Sequence, residues 1–221
     1  MSRNLKIAPE NFYHIFNRGT EKRLIFLDER DYERFVGLMH LCNSEEKIRL
    51  DFFDKSVPLK ELLKFHIENR IVSIGAYCLM PNHFHILIKE IVEGGISKFM
   101  QKFMTGYVMY FNSKYERSGT LFQGRFKAEH ANEDTYLKYL YTYINLNPIG
   151  IIDKGWKNKH LENKFEAKKF LESYPYSSYL DYTNNLRDEG IILDKSKFPE
   201  YFETPKKFDE MVNEWINFED L

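Results

Sequence analysis

The sequence is poor in cysteine, has almost no net charge and contains no long apolar segment. Its two cysteines, Cys42 and Cys78, form no CxxC pair, which argues against a disulfide framework or a structural zinc knuckle. No apolar run approaches a membrane span, and the N-terminal stretch MSRNLKIAPE lacks the apolar segment of a signal peptide. We therefore expect a cytoplasmic protein with no membrane partner.

A formal net charge of −1 excludes a uniformly basic protein that coats nucleic acid. Basic residues slightly outnumber acidic ones in residues 1–149, and the balance reverses in residues 150–221. This distribution permits nucleic-acid binding without requiring it. The 15 tyrosines and 19 phenylalanines supply either core packing or flat surfaces on which unpaired bases stack.

Hydrophobic periodicity and turn signals predict an α+β order of elements. Asp28 is a plausible N-cap for the first long helix. The order suggests an antiparallel sheet with helices packed on one face. The predicted strands cover 11–18, 70–80 and 83–90, and the predicted helices cover 28–43, 96–116 and 133–147, with a loop and a short helix within 47–69.

The remaining chain divides into a loop-like motif and a charged tail. The motif GTLFQGRFKA at 119–128 predicts a tight hairpin or an ordered loop. Two further helices are predicted near 161–172 and 205–218. We expect a catalytic domain over residues 1–150 and a C-terminal helical extension, residues 151–221, packed on the same domain.

Two histidines alternate on the predicted strand 83–90. His83 and His85 lie two residues apart, so both imidazoles would project from one face while Phe84 enters the other. Paired imidazoles suit a divalent metal. A histidine pair with this spacing on a strand face is, from the spacing alone, more often structural or merely exposed.

The predicted helix 133–147 carries four tyrosines. Its core stripe consists of Leu137, Leu140, Tyr141 and Ile144, and its adjacent stripe consists of Tyr136, Tyr139, Tyr143 and Asn147. Tyr143 and Asn147 are one turn apart, so a hydroxyl and an amide oxygen reach one place. A half-buried aromatic seam would produce the same pattern.

Basic residues near aromatic rings are candidates for contacts with DNA phosphates. The main pair is Arg125 and Lys127, with additional contacts from Lys98 and Lys102 on the long helix. Arg18, at the end of the first strand, is a further candidate, although a neighbouring carboxylate could pair with it. A solvated hairpin with packed aromatics is the alternative interpretation of the 119–128 motif.

Four motifs in fixed order resemble the single-tyrosine HUH transposases, and most closely the REP-associated tyrosine transposases. They are YHIFNRG (13–19), YCLMPNHFHILI (77–88), GTLFQGRFKA (119–128) and YLYTYINLNPI (139–149), followed by SYPYSSY (173–179). The resemblance covers roughly residues 11–180. Residues 180–221 match no signature of that family.

The resemblance implies a ferredoxin-like α+β fold with the HUH pair on a central strand. It implies that His83 and His85 are metal ligands for Mg²⁺ or Mn²⁺, with Asn147 as the third protein ligand. It also implies that Tyr143 is the nucleophile. The helical rise per residue leaves Tyr139 as the only serious rival to Tyr143 on that helix face. The expected product is a 5′-phosphotyrosine and a free 3′-hydroxyl.

Three functions are compatible with these features. The first is a transposase that cuts and rejoins single-stranded, hairpin-forming DNA, with a homodimer possible. The second is a catalytically silent binder of DNA or RNA hairpins on the same scaffold. The third is a metal-dependent hydrolase of small phosphate esters, which would form no covalent tyrosine adduct.

Overall fold

The computed structural model describes residues 6–46, 56–158, 161–183 and 186–217. Four strands and eight α-helices are present in these ranges, together with short 3-10 turns. The strands are β1 (Phe12–Arg18), β2 (Val72–Met80), β3 (His83–Glu90) and β4 (Lys127–His130). The helices are α1 (Glu29–Leu41), α2 (Leu59–Leu63), α3 (Gly95–Lys114), α4 (Asp134–Leu146), α5 (Ile149–Ile152), α6 (Lys164–Ser173), α7 (Tyr179–Tyr182) and α8 (Pro205–Asn217).

The four strands form one antiparallel sheet in the order β2-β3-β1-β4. With α1 between β1 and β2 and α3 between β3 and β4, the chain follows a βαββαβ path. This path and strand order are those of a ferredoxin-like fold. The predicted α+β class and the central position of the strand that carries the histidine pair are therefore confirmed.

Local sequence explains where the main helices begin. The Asp28 side chain accepts a hydrogen bond from the Asp31 backbone N–H, while the Asp31 carboxylate accepts one from the Asp28 N–H. This reciprocal capping box confirms the predicted N-cap. Helix α3 begins after Gly94, whose φ of +71° places it in the left-handed region that glycine adopts without strain.

Helices cover both faces of the sheet, so the expectation of helices on one face was wrong. Phe84, Ile86 and Ile88 of β3 enter a core with α1 and α3. The alternate residue Leu87 packs with α4 on the opposite face. The amphipathic pattern of α4 identified an apolar stripe but not the face of the sheet that this stripe covers.

The 119–128 motif combines an ordered loop with the start of a strand. Its last two residues, Lys127 and Ala128, open β4, which pairs with β1. The glycine at 124 has a φ of +72°, which allows the preceding turn. Part of the predicted segment 47–69 lies outside the described residues, and its described part contains α2.

The C-terminal extension packs against the outer edge of β2. The Leu79 N–H donates to the Tyr176 carbonyl, and the Ser178 N–H donates to the Tyr77 carbonyl, both at 2.9 Å. The Ser178 hydroxyl also donates to Asn145 Oδ1 at 2.7 Å, which ties the extension to α4. Segment 176–178 thus covers an edge that would otherwise expose unpaired backbone groups. The domain boundary near residue 150 stays a prediction.

The described residues contain no helix long and apolar enough to cross a membrane.

Candidate active site and nucleic-acid groove

The register of the sheet aligns polar residues in rows on the face that α4 covers. His83 lies opposite Arg18, and His85 lies opposite Phe16, which itself lies opposite Lys127. Paired residues on antiparallel strands project to the same side of the sheet. The two imidazoles of β3 therefore share one face with Arg18 and Lys127, and their ring centroids are 5.1 Å apart.

A hydrogen bond determines which nitrogen of His83 carries its proton. Nδ1 lies 2.6 Å from the Asn82 side-chain oxygen. A carboxamide oxygen only accepts, so Nδ1–H is the donor and Nε2 keeps its lone pair. Histidines that bind a metal ion through one ring nitrogen commonly donate a hydrogen bond from the other, as His83 does here.

His85 is held by a third histidine that the sequence analysis did not identify as a site residue. His85 Nδ1 lies 2.8 Å from His14 Nε2 on β1. His14 Nδ1 in turn lies 3.6 Å from the Glu129 carboxylate on β4. The carboxylate favours a proton on His14 Nδ1, so His14 Nε2 accepts from His85 and leaves the lone pair of His85 on Nε2.

The only sequence signal for His14 was its place in YHIFNRG, an alternating strand segment. Its position two residues before Phe16 puts it on the same strand face as Phe16. Its contact with His85 depends on the β1–β3 register, which links residues 71 positions apart.

Burial keeps all three imidazoles neutral near physiological pH. Loss of solvation, together with the nearby charges of Lys157 and Arg18, lowers the pKa of His83 to about 4. Loss of solvation also lowers the pKa of His14 to about 4 against the opposing effect of Glu129. The pKa of His85 lies well below its usual value for the same reason. Neutral imidazoles are the form that binds metal ions.

Tyr143 is the tyrosine of α4 that contacts the histidines. Its ring lies edge-on to His85 and His14, with centroid distances of 5.6 and 5.9 Å. Tyr139 stacks on the outer side of Tyr143 at 5.8 Å. The Tyr136 hydroxyl donates to Glu129, and Tyr141 is buried in the apolar cluster under α4.

Two residues after α5 complete the surroundings of Tyr143, and sequence reasoning missed both. Lys157 Nζ donates to the Tyr143 hydroxyl oxygen at 3.1 Å. The ring of Trp156 stacks on that of Tyr143 with centroids 5.7 Å apart. They lie in a charged segment without periodicity, so the sequence carried no signal of this contact.

Asn147 follows the last residue of α4 and is almost fully buried. Its side-chain nitrogen donates to the Tyr143 backbone carbonyl at 3.0 Å. This bond engages the amide nitrogen and leaves the oxygen as the atom suited to a hard cation. The role of Asn147 as a ligand stays a prediction.

The predicted metal ligands are two imidazoles and one amide. No group of three or more His, Cys, Asp or Glu side chains within the described ranges could hold a metal ion. His83 and His85 offer two neutral nitrogen donors, and Asn147 offers an oxygen. Two imidazoles with one amide leave coordination positions for phosphate oxygen and water.

A polar groove of about 330 Å³ opens beside His83. Cations, amides and one aromatic ring line it: Phe16, Asn17, Arg18, Lys22, Asn82, His83, Gln123 and Lys127. Arg18 Nε donates to the Gln123 side chain at 2.5 Å, so its partner is an amide and not the carboxylate considered above. Lys127 lies over the Phe16 ring at 5.8 Å. Such a lining suits a phosphate backbone and stacked bases.

The other basic candidates are not among the residues that line this groove. Arg125 is exposed in the loop before β4. Lys98 and Lys102 belong to α3, which packs on the opposite face of the sheet. The Lys102 ammonium also donates to the backbone carbonyls of Ser44 and Glu46. DNA contacts by all these residues stay predictions.

Comparison with known proteins gives a family match. The model of the family described as "Transposase IS200 like" matches residues 13–147, which include the histidine pair, Tyr143 and Asn147. No curated protein matches the chain. Among solved structures, the chain is similar to one described as "Structure of the REP associates tyrosine transposase bound to a REP hairpin". The identity is 11%, the TM-score is 0.49, and the match covers 92% of this chain and 99% of that one.

Proposed function

This chain belongs to the IS200-like transposase family, and on that premise we propose that it cuts and rejoins single-stranded, hairpin-forming DNA. Tyr143 is the nucleophile, and the intermediate is a 5′-phosphotyrosine. The observation that carries the proposal is the contact of the Tyr143 ring with His85, at 5.6 Å, beside a cation on its hydroxyl. A catalytically silent hairpin binder would not need this combination.

His83 and His85, through their Nε2 atoms, and the Asn147 oxygen would hold Mg²⁺ or Mn²⁺. When bound, the ion would supply Lewis-acid stabilisation to a non-bridging oxygen of the scissile phosphate. Asn82 and His14 orient the two imidazoles by engaging Nδ1 of each. Imidazole ligands favour Mn²⁺ over Mg²⁺, because Mg²⁺ prefers oxygen donors.

Tyr143, whose ring contacts His85 and His14, would act as the in-line nucleophile. Its hydroxyl oxygen attacks phosphorus, the bond to the 3′-oxygen breaks, and the released DNA strand ends in a 3′-hydroxyl. The new phosphotyrosine retains a reactive ester bond. A 3′-hydroxyl of another strand end can therefore reverse the step and join new ends without an external energy source.

The groove beside His83 is where we place the DNA strand next to the scissile phosphate. Arg18 and Lys127 would neutralise phosphates, and Phe16 would offer a ring for stacking. Arg125 extends this basic lining along the loop before β4. Hairpin structure in the substrate follows from the resemblance to REP-associated transposases, and the distribution of charge is compatible with it.

The test is a trapping experiment with Mn²⁺ and hairpin oligonucleotides that carry a single-stranded flank. The DNA is labelled at its 3′ end, because a 5′-phosphotyrosine retains the downstream fragment. We expect a labelled band at the mass of protein plus fragment on denaturing gels, and its loss when the metal is chelated. Hairpin binding without any covalent band would instead support the silent-binder alternative.

A further inference from the structure

We propose that Lys157 is a catalytic residue, whose ammonium stabilises negative charge on the Tyr143 oxygen during both cleavage and rejoining. This inference rests on the proposed function. Lys157 lies beyond residue 147, where the family match ends. The residue would thus be a contribution of the C-terminal extension to the active site.

The contact between the two side chains is direct. Lys157 Nζ lies 3.1 Å from the Tyr143 hydroxyl oxygen and 5.3 Å from the centre of its ring. An ammonium group only donates, so the tyrosine oxygen is the acceptor. The same oxygen is the atom that bonds to phosphorus, which makes Lys157 a neighbour of the reacting atom itself.

Trp156 holds the lysine in place. It is 3% exposed and stacks on Tyr143 at an interplanar angle of 26°. Its indole also packs against Trp215 of α8 and against Gly150 of α5, where a Cβ would lie 2.6 Å from the indole nitrogen. Neighbouring elements thus position the turn that carries Lys157.

Among the described residues, no carboxylate forms an ion pair with Lys157. The ion pairs of other lysines include Lys114 with Asp28 and Lys168 with Asp209. Its side chain is exposed at the site. The ammonium is therefore available to the tyrosine oxygen and to an incoming phosphate.

The role of the cation follows from the balance of the reaction. In cleavage, Tyr143 loses its phenolic proton to water, its oxygen bonds to phosphorus, and the 3′-oxygen leaves and takes a proton from water. In rejoining, a 3′-hydroxyl attacks and gives its proton to water, and the Tyr143 oxygen leaves with the electron pair. The tyrosine oxygen is anionic in both directions, so one fixed donor serves both steps.

The first test compares Lys157→Met with Lys157→Arg and with Lys154→Met, an exposed lysine of the same segment. We expect Lys157→Met to slow single-turnover cleavage about 100-fold, the usual effect of removing one preorganised donor. Rejoining from the isolated adduct should slow to a similar extent. Hairpin binding should stay within a few-fold, and Lys157→Arg and Lys154→Met should retain most activity.

Two further measurements separate this role from alternatives. Ethylammonium should restore part of the activity of Lys157→Ala, which a purely structural role would not allow. A substrate with sulfur at the bridging 3′ position needs no protonation of its leaving group. If that substrate restores Lys157→Met cleavage, Lys157 acts on the leaving group, and the inference is overturned.

The outcome for the wild-type protein distinguishes the two proposals. If the wild type forms no tyrosine adduct, the proposed function fails and Lys157 has no reaction to support. If the wild type forms the adduct and Lys157→Met cleaves at the same rate, only the assignment of Lys157 is wrong.

Discussion

The two faces of the sheet use the same strands for different purposes. On β3, Phe84, Ile86 and Ile88 are fully buried in the larger core with α1 and α3. The alternate residues His83 and His85 face α4. Because side chains alternate across a strand, one short segment supplies both core packing and a row of ligand atoms.

On β3, the second face carries its two imidazoles at one end. Leu87 continues the row of His83 and His85 but packs with Leu140 and Ile144 of α4. This apolar contact holds α4 against the sheet, while Tyr143 projects from the adjacent stripe of the same helix beside the imidazoles. His83 and His85 each keep a hydrogen bond at Nδ1, with Asn82 and His14 respectively, which offsets part of the cost of burying a polar ring. The face that packs on α1 and α3 therefore mainly stabilises the fold, whereas the face under α4 carries the candidate active site.

The largest effect is expected for Tyr143→Phe, which should abolish covalent attachment and cleavage. The substitution removes only the Tyr143 hydroxyl and leaves the packing of the ring intact, so hairpin binding should stay within a few-fold. The measurement is the trapping experiment, with peptide mapping of the wild-type adduct. Tyr139→Phe is the matched control and should retain the adduct. A nucleotide mapped to Tyr139 would contradict the assignment.

A pair of neighbouring substitutions tests the separation of the two faces. Phe84→Ala should lower the free energy of unfolding by about 3–5 kcal/mol, because it leaves a cavity in the larger core. His85→Gln should cost at most about 2 kcal/mol but should abolish Mn²⁺ binding and cleavage. Urea unfolding and Mn²⁺ titration by calorimetry measure the two effects. Unchanged Mn²⁺ affinity in His85→Gln would remove that residue from the metal site.

Charge removal on each face tests where the DNA lies. Arg125→Ala with Lys127→Ala should weaken hairpin affinity and reduce the slope of log affinity against log salt by about 1.4, the value for two single-strand phosphate contacts. The comparison variant combines Lys98→Ala with Lys102→Ala on α3, across the sheet. We expect a smaller change there. A larger change on α3 would place the strand on the opposite face.

The last comparison concerns the pH dependence of stability in the metal-free protein. Burial lowers the pKa of His14 and His83 to about 4, against 6.5 in the unfolded chain. The unfolded state therefore binds more protons between these values, and stability falls as pH drops below about 6.5. Urea midpoints from about pH 7 to about pH 5 measure this loss. His14→Gln should flatten the curve, and an unchanged curve would show that His14 is not part of the effect.

Much of the local structure could be predicted from the sequence. The alternation of β3, the capping residue Asp28 and the apolar stripe of α4 depend on neighbours within a few positions. These short-range patterns also placed His83 and His85 on one strand face and Tyr143 one turn from Asn147. Such features depend on the two-residue period of a strand and the 3.6-residue period of a helix, and a short window of sequence is enough to show either period.

Tertiary structure alone decided the rest of the site. The contact of His14 with His85 depends on strand register, and the position of α4 depends on how the whole chain crosses the sheet. The contact of Lys157 with Tyr143 depends on the packing of Trp156 after α5. These contacts join segments whose own patterns are unrelated, because packing energy is summed over the whole fold and leaves no periodic signal in the sequence.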